Sequence, residues 1–256
     1  MIRIFRLLAA YTTRAFLQWT AFRSFLFTLV FNQAVSPLIG LALWSAVLPG
    51  ETQLSTYFIA LLAVQLMTVS QEYYSVTLRI YEGGLNDDLL RPHAFVIGPL
   101  GESIAIRFWH LLGGLPILLI ITMAAHVTFQ TTDILLAMPA LALAAALRFL
   151  FVFIMAITAL WTQQAGGITS FGSTLIFLLG GIAVPIPLLP EQLRHVGEAL
   201  PFRAMLGFPA EIASGSLNVL QVRAGYMWQV LWLIVCVAIG ASMWQAGVRR
   251  YTAIGG

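Results

Sequence analysis

Six runs of apolar residues dominate this chain, each long enough, at about 20 residues, to cross a hydrocarbon core. They fall at roughly 24–48, 54–78, 104–125, 134–160, 166–188 and 224–246. The runs are continuous, whereas a transmembrane barrel strand takes about ten residues of alternating polarity, so the pattern is α-helical. Composition agrees: 60% of the 256 residues are hydrophobic and only 9% are charged, against about 25% charged in an ordinary soluble domain. So few charged side chains cannot wet the surface of a soluble fold. The expected class is an all-α, polytopic membrane protein with six transmembrane helices.

Residues 2–23 precede the first run and behave differently. At 100° per residue, Ile4, Phe5, Leu8, Tyr11, Ala15, Phe16, Trp19 and Phe22 fall on one side and Arg3, Arg6, Thr13, Arg14 and Thr20 on the other. This predicts an interfacial helix, with Arg23 placed to snorkel where the chain enters the bilayer. A cleaved signal peptide fits less well, because the following apolar run is too long for an h-region and no A-x-A site closes it.

All 13 basic residues are Arg. Without Lys no Walker A loop can form, so this chain is not itself a P-loop ATPase, and Lys Schiff-base chemistry is excluded as well. The net charge of +3 comes from Arg flanking apolar runs, which points to membrane orientation rather than nucleic-acid binding. With the N terminus in the cytoplasm, Arg3, Arg6, Arg14, Arg23, Arg79, Arg91, Arg107, Arg249 and Arg250 lie on that side, against Arg194, Arg203 and Arg223 outside. Both termini are therefore expected in the cytoplasm. Trp44, Trp161, Trp228 and Trp244 sit near expected span ends.

Catalytic chemistry is poorly supported. His93, His110, His126 and His195 are scattered without metal-binding spacing, Cys236 is the single cysteine, and no G-x-S-x-G occurs. No catalytic residue and no metal site are expected. The doublets Gly83-Gly84, Gly113-Gly114, Gly166-Gly167 and Gly180-Gly181 are expected to serve close helix packing or kinks.

Arg148, halfway along the fourth run, is the most expensive residue to insert, at about 2.5–3.5 kcal/mol. Glu72 is its obvious counter-charge, although helical rise puts the two at depths differing by about 10 Å. Two readings stand: a structural salt bridge or carbonyl-bonded Arg, and a pathway or gating residue. Two connections are long. Residues 79–103 form the main cytosolic surface, and Glu82, Asp87, Asp88 and Glu102, with Glu72 just upstream, make up half of the ten acidic residues. Within it Leu85–Leu90 form a short amphipathic stretch in which Leu85 and Leu89 share a helical face while Asn86, Asp87 and Asp88 stay polar. It is either a docking element or a solvated loop helix. Residues 190–222, broken by Pro201, Pro209 and Gly215, are expected to form amphipathic or re-entrant half-helices over the outer leaflet.

The stretch Gly83-Gly84-Leu85-Asn86-Asp87-Asp88-Leu89-Leu90-Arg91-Pro92 resembles the G-x-L-D-x-x-L-L-R-P element in the first cytoplasmic loop of ABC-2 type permeases. Pro185-Ile186-Pro187-Leu188-Leu189-Pro190, followed by Leu200-Pro201-Phe202 and Phe208-Pro209, is similar to the outer pattern of a six-span branch of that family. The likeness extends over nearly the whole chain. It departs at Asn86, where the pattern has Asp, which shifts any docking carboxylate to Asp87 or Asp88. The resemblance implies an exporter in the plasma membrane of a bacterium, built from two permeases, identical or paralogous, and separate ABC ATP-binding subunits. ATP and Mg would be bound in those partner chains, with no cofactor in this one. Residues Gly84 to Pro92 would form the coupling helix, and the outer half-helices with Pro185, Pro187 and Pro190 an upper gate.

A pathway through the second and fifth spans would offer Gln65, Gln71, Glu72, Thr169, Ser170 and Phe171, with Arg148 nearby. Its apolar wall suits a lipophilic or amphipathic substrate, a drug-like or lipid-like molecule, and Glu72 would favour a cationic one. The competing classes are an ion-coupled secondary transporter, which would need midplane acids and repeats not found here, and a membrane-embedded enzyme.

Overall fold

The computed structural model describes residues 2–251, without the side chains of Ile2 and Arg23, so the snorkelling expected of Arg23 lies outside the described residues. Every described element is helical: α1 (Ile2–Thr20), α2 (Arg23–Val47), α3 (Thr52–Thr68), α4 (Tyr73–Tyr81), α5 (Leu85–Leu89), α6 (Ile97–Ala124), α7 (Thr131–Ile157), α8 (Ala165–Leu179), α9 (Glu191–Ala199), α10 (Pro201–Met205), α11 (Gly207–Ala213) and α12 (Val219–Val248). Five passages are long and apolar enough to cross a membrane: Ser24–Val47, Thr52–Tyr81, Ile97–Ala124, Thr131–Leu160 and Val219–Val248. Where the sequence leads one to expect a sixth run over 166–188, the helix stops after 15 residues at Leu179, about 22 Å of rise against roughly 30 Å of hydrocarbon.

Burial sorts these helices into a centre and a rim. The Thr52–Tyr81 and Thr131–Leu160 passages are 61% and 56% buried over their most apolar windows, whereas the other three are 17–28% buried. One apolar core joins Tyr57, Phe58, Leu61 and Val64 of α3 to Leu147, Ile176, Phe202, Met205, Leu206 and Ala210. A second core, at the other end of the bundle, joins Val76 and Ile80 of α4 to Leu85, Phe95, Phe149, Phe153 and Ile157. The chain therefore has an α11 end and an α5 end. Both described termini lie at the α5 end: Tyr11 of α1 packs on Gly101, while Trp244 and Tyr251 pack on the second core.

The second passage is broken. α3 ends at Thr68, Val69 is extended with φ −48° and ψ 139°, and α4 begins at Tyr73. Continuous hydrophobicity over 54–78 hid this break, because hydropathy does not register backbone geometry. Two other boundaries move: the third passage starts at Ile97 rather than 104, and the last at Val219 rather than 224. An Asn218/Gln221 capping box accounts for the latter, satisfying the first orphan amides. This places Trp228 inside the helix rather than near its end. Of the glycine doublets, Gly113 and Gly114 do serve packing, against Val30 and Leu66, whereas Gly166 and Gly167 have open space around them.

Candidate functional site

α5 is set by its two flanks. Gly83 turns the chain with φ +81°, a conformation that favours glycine. Leu85 is completely buried in the second core and anchors the helix. Asp88, one turn on, shares that inward side, since residues three apart are neighbours on a helix. It forms ion pairs with Arg79 of α4 at 3.5 Å and Arg91 at 3.1 Å. The sequence pattern places Asp88 on a polar face and Leu89 beside Leu85; in the structure Asp88 is buried and Leu89 is 41% exposed. Asn86 is half-buried and Gly84 partly covered, while Asp87, Leu90, Arg91 and Pro92 are exposed, Leu90 at 86%.

A polar chain ties α5 to its neighbours. Arg79 also pairs with Glu102 of α6, whose carboxylate accepts a hydrogen bond from Ser75 at 2.5 Å. Arg91 donates to the Tyr11 hydroxyl of α1 at 2.9 Å, and that hydroxyl shares a hydrogen bond with His93 at 3.1 Å. Tyr11, Arg79, Glu102 and His93 were not among the expected site residues. The one sequence signal was opposite charge at the two margins of the loop, Arg79 and Glu102, and no local periodicity joins positions so far apart.

Beside this network lies a cavity of about 890 Å³. Its walls are one face of α1 (Tyr11, Arg14, Trp19), the start of α2 (Phe25, Leu29, Asn32), the break and α4 (Gln71, Glu72, Tyr74, Ser75, Arg79), α5 (Gly84, Asp87, Asp88), Arg91, and the first turns of α6 (Glu102, Ser103, Ile106). The structure thus brings Gln71 and Glu72 together with the α5 residues.

It does not bring the remaining expected pathway residues there. Gln65 donates to Gln33 of α2 at 3.0 Å; Thr169 is buried and bonds back to Ala165; Ser170 and Phe171 are exposed on α8. Pro185 is buried at the α11 end, with Pro187 and Pro190 exposed nearby. Arg148, 9% exposed, donates to the Thr68 hydroxyl at 3.0 Å and forms no ion pair with Glu72. Arg107 of α6 crosses the break, donating to Val69 O at 3.0 Å, Ser70 Oγ at 3.1 Å and Ala145 O of α7 at 2.8 Å. These two guanidiniums occupy the carbonyl and hydroxyl acceptors that the end of α3 leaves open. Both oxygens of Glu72, which is 3% exposed, are buried without a hydrogen-bond partner among the described residues.

The opposite end is filled. α10 and α11 are buried almost throughout against α7, α3 and α12, and Arg203 forms a bidentate pair with Glu211, which is 1% exposed. Burial pulls the Arg203 guanidinium down, and Glu211, by charge and hydrogen bonds, more than offsets this, leaving its pKa above the ordinary value. α9 is mostly exposed, consistent in amphipathic character with an interfacial segment.

Residues 17–255 match the family model described as ABC-2 family transporter protein. The chain belongs to the ABC-2 transporter family. It is accordingly a permease of an ABC transporter, a multi-pass membrane component of a family that generally works with ATP-binding subunits. No curated protein and no solved structure matches the chain.

Proposed function

We propose that this ABC-2 permease is one half of the translocation pathway of a bacterial plasma-membrane exporter, paired with a second permease, identical or paralogous, and powered by separate ATPase subunits that bind ATP and Mg. The observation that carries this reading is α5: a short helix anchored from within by Leu85 and Asp88 that leaves Asp87, Leu89, Leu90 and Arg91 uncovered at one end of the bundle. An apolar and charged edge of that kind suits a groove on a partner protein. That end is the cytoplasmic one by the distribution of Arg, and both described termini share it.

A sixth passage completes the topology. Ala165 at the start of α8 lies against Tyr81 at the α5 end, while Gly181, just past its end, accepts a hydrogen bond from Tyr57 at the α11 end. These contacts support a sixth passage made by α8 with the residues to Pro185, its short helix supplemented by non-helical backbone that protein covers. ATP binding in the partner subunits would shift α5 and α4, and the break at 69–72, clasped by Arg107 and Arg148, is where such a movement would be absorbed. In the described conformation the cavity stands at the cytoplasmic end and α10–α11 close the outer end, which is the loading state of an exporter. The substrate class is lipophilic or amphipathic, a reading supported by the aromatic and aliphatic side chains that line the cavity beside its charged and polar ones.

The broken second helix is also what an ion-coupled secondary transporter would show. There, however, unwound carbonyls hold the coupling ion, whereas Val69 O is taken by Arg107. The test is purification from the native host in mild detergent: an ATP-binding subunit with vanadate-sensitive hydrolysis is expected to come with the permease. Substrate transport driven by a proton or sodium gradient with no ATPase bound would overturn the reading.

A further inference from the structure

The cavity mixes charges that are already matched with charges that are not. Asp88 and Glu102 are engaged by Arg79 and Arg91. That leaves Glu72, Asp87 and Arg14 without an ion pair among the described residues that line it. Glu72 differs from the other two in being buried, with neither carboxyl oxygen hydrogen-bonded. Leaving a carboxylate in that condition is expensive, and a cation held on the Glu72 side of the cavity offsets part of that cost by charge, across the groups that cover the two oxygens. Arg107 and Arg148 are nearby, yet neither lines the cavity, neither forms an ion pair with Glu72, and their hydrogen bonds go to the end of α3, the break and α7.

Part of the same cavity wall is aromatic. Trp19 and Phe25 stack at 6.3 Å across the α1–α2 elbow, and Phe22 and Tyr74 border the same space. Aromatic faces attract organic cations through their quadrupoles while burying apolar substituents. A volume of about 890 Å³ accommodates a drug-sized molecule.

We propose that this cavity binds a lipophilic organic cation, its positive centre against Glu72 and its apolar body against Trp19, Phe22, Phe25 and Tyr74. The proposal rests on the permease reading above and sharpens its substrate class from amphipathic to cationic. An anion would be repelled by the Glu72 carboxylate, and a neutral molecule would offer it no charge.

The test uses the permease–ATPase complex in nanodiscs of neutral lipid, with tetraphenylphosphonium and its anionic isostere tetraphenylborate as probes and empty nanodiscs subtracted. Wild-type complex is expected to bind the cation at least about tenfold more tightly than the anion. Glu72→Gln, an isostere of the neutral acid, is expected to lower cation affinity by about the same factor without weakening the anion, and Glu72→Asp to retain part of the preference. Trp19→Ala with Phe25→Ala should weaken both probes. Equal affinity for the two probes in wild type, a comparison that needs no variant, overturns the proposal, as does unchanged cation affinity in Glu72→Gln. Either result with an ATPase subunit still bound and hydrolysing leaves the permease reading standing; failure to recover any ATPase subunit overturns that reading instead.

Discussion

The two ends of this molecule handle charge in opposite ways. At the α11 end one ion pair, Arg203–Glu211, is sealed inside α10 and α11 among Phe202, Met205, Leu206 and Phe208, with almost nothing open beside it. At the α5 end Arg79, Asp88, Arg91 and Glu102 form a linked chain next to a cavity, partly in reach of water, and α5 offers an uncovered edge. A sealed pair holds a single arrangement, because breaking it strands a charge in a dry interior. A linked, half-wet chain exchanges partners at small cost. The rigid end is thus built to stay shut, and the pliable end to respond to a partner.

The largest effect that tests this contrast comes from splitting the sealed pair. Glu211→Ala is expected to destabilise the protein by about 3–5 kcal/mol, read as a fall in the thermal midpoint in detergent or loss of the folded monodisperse species. The double change Arg203→Met with Glu211→Leu should recover most of that loss; if it does not, the pair is more than a matched burial.

Next in size is steric pressure on the same end. A Cβ at Gly225 would collide with the Phe208 ring, so Gly225→Ala should cost about 1–3 kcal/mol in the same assay. At the α5 end, Arg79→Ala removes two partly exposed ion pairs and should cost about 1 kcal/mol or less. Its capture of the ATP-binding subunit in pull-down should nevertheless drop, because α5 loses its tie to α4. A stability loss as large as that of Glu211→Ala would erase the contrast between the ends.

The smallest expected change in stability, within about 0.5 kcal/mol, is for Asp87→Arg, since Asp87 is exposed and unpaired. It should still reduce ATPase capture if the uncovered edge is the docking surface. Asp88→Arg is expected to lower both stability and capture, because it places a third cation between Arg79 and Arg91. Equal, unaltered capture in both variants removes α5 from docking.

Some of this was legible in the chain itself. Helical, multi-pass architecture follows from length and continuity of apolar runs, and α1 was visible as a 3.6-residue pattern. The five long passages match five of the six expected runs. α5 was located by its Gly83-Gly84 and Pro92 brackets, but which of its residues face inward was not, since Leu85 has both Asp88 and Leu89 as helix neighbours and the partners that Asp88 finds, Arg79 and Arg91, lie outside the helix. For Arg148 the sequence allows both a structural and a pathway role. Its hydrogen bond to Thr68, at the end of α3, joins it to the break rather than to Glu72.

Composition and periodicity determine how much apolar surface must be hidden and in what secondary structure, because those requirements are met residue by residue against lipid and water. They determined that this chain is an α-helical membrane protein without Lys, and hence without a phosphate-binding loop of its own. The break at Val69–Glu72, the clasp of Arg107 across it, the unpartnered Glu72 and the cavity were decided only by tertiary structure. Each depends on which helices lie side by side, and neighbours such as Arg79 and Glu102, 23 residues apart, or Thr68 and Arg148, 80 apart, leave no periodic trace in the sequence.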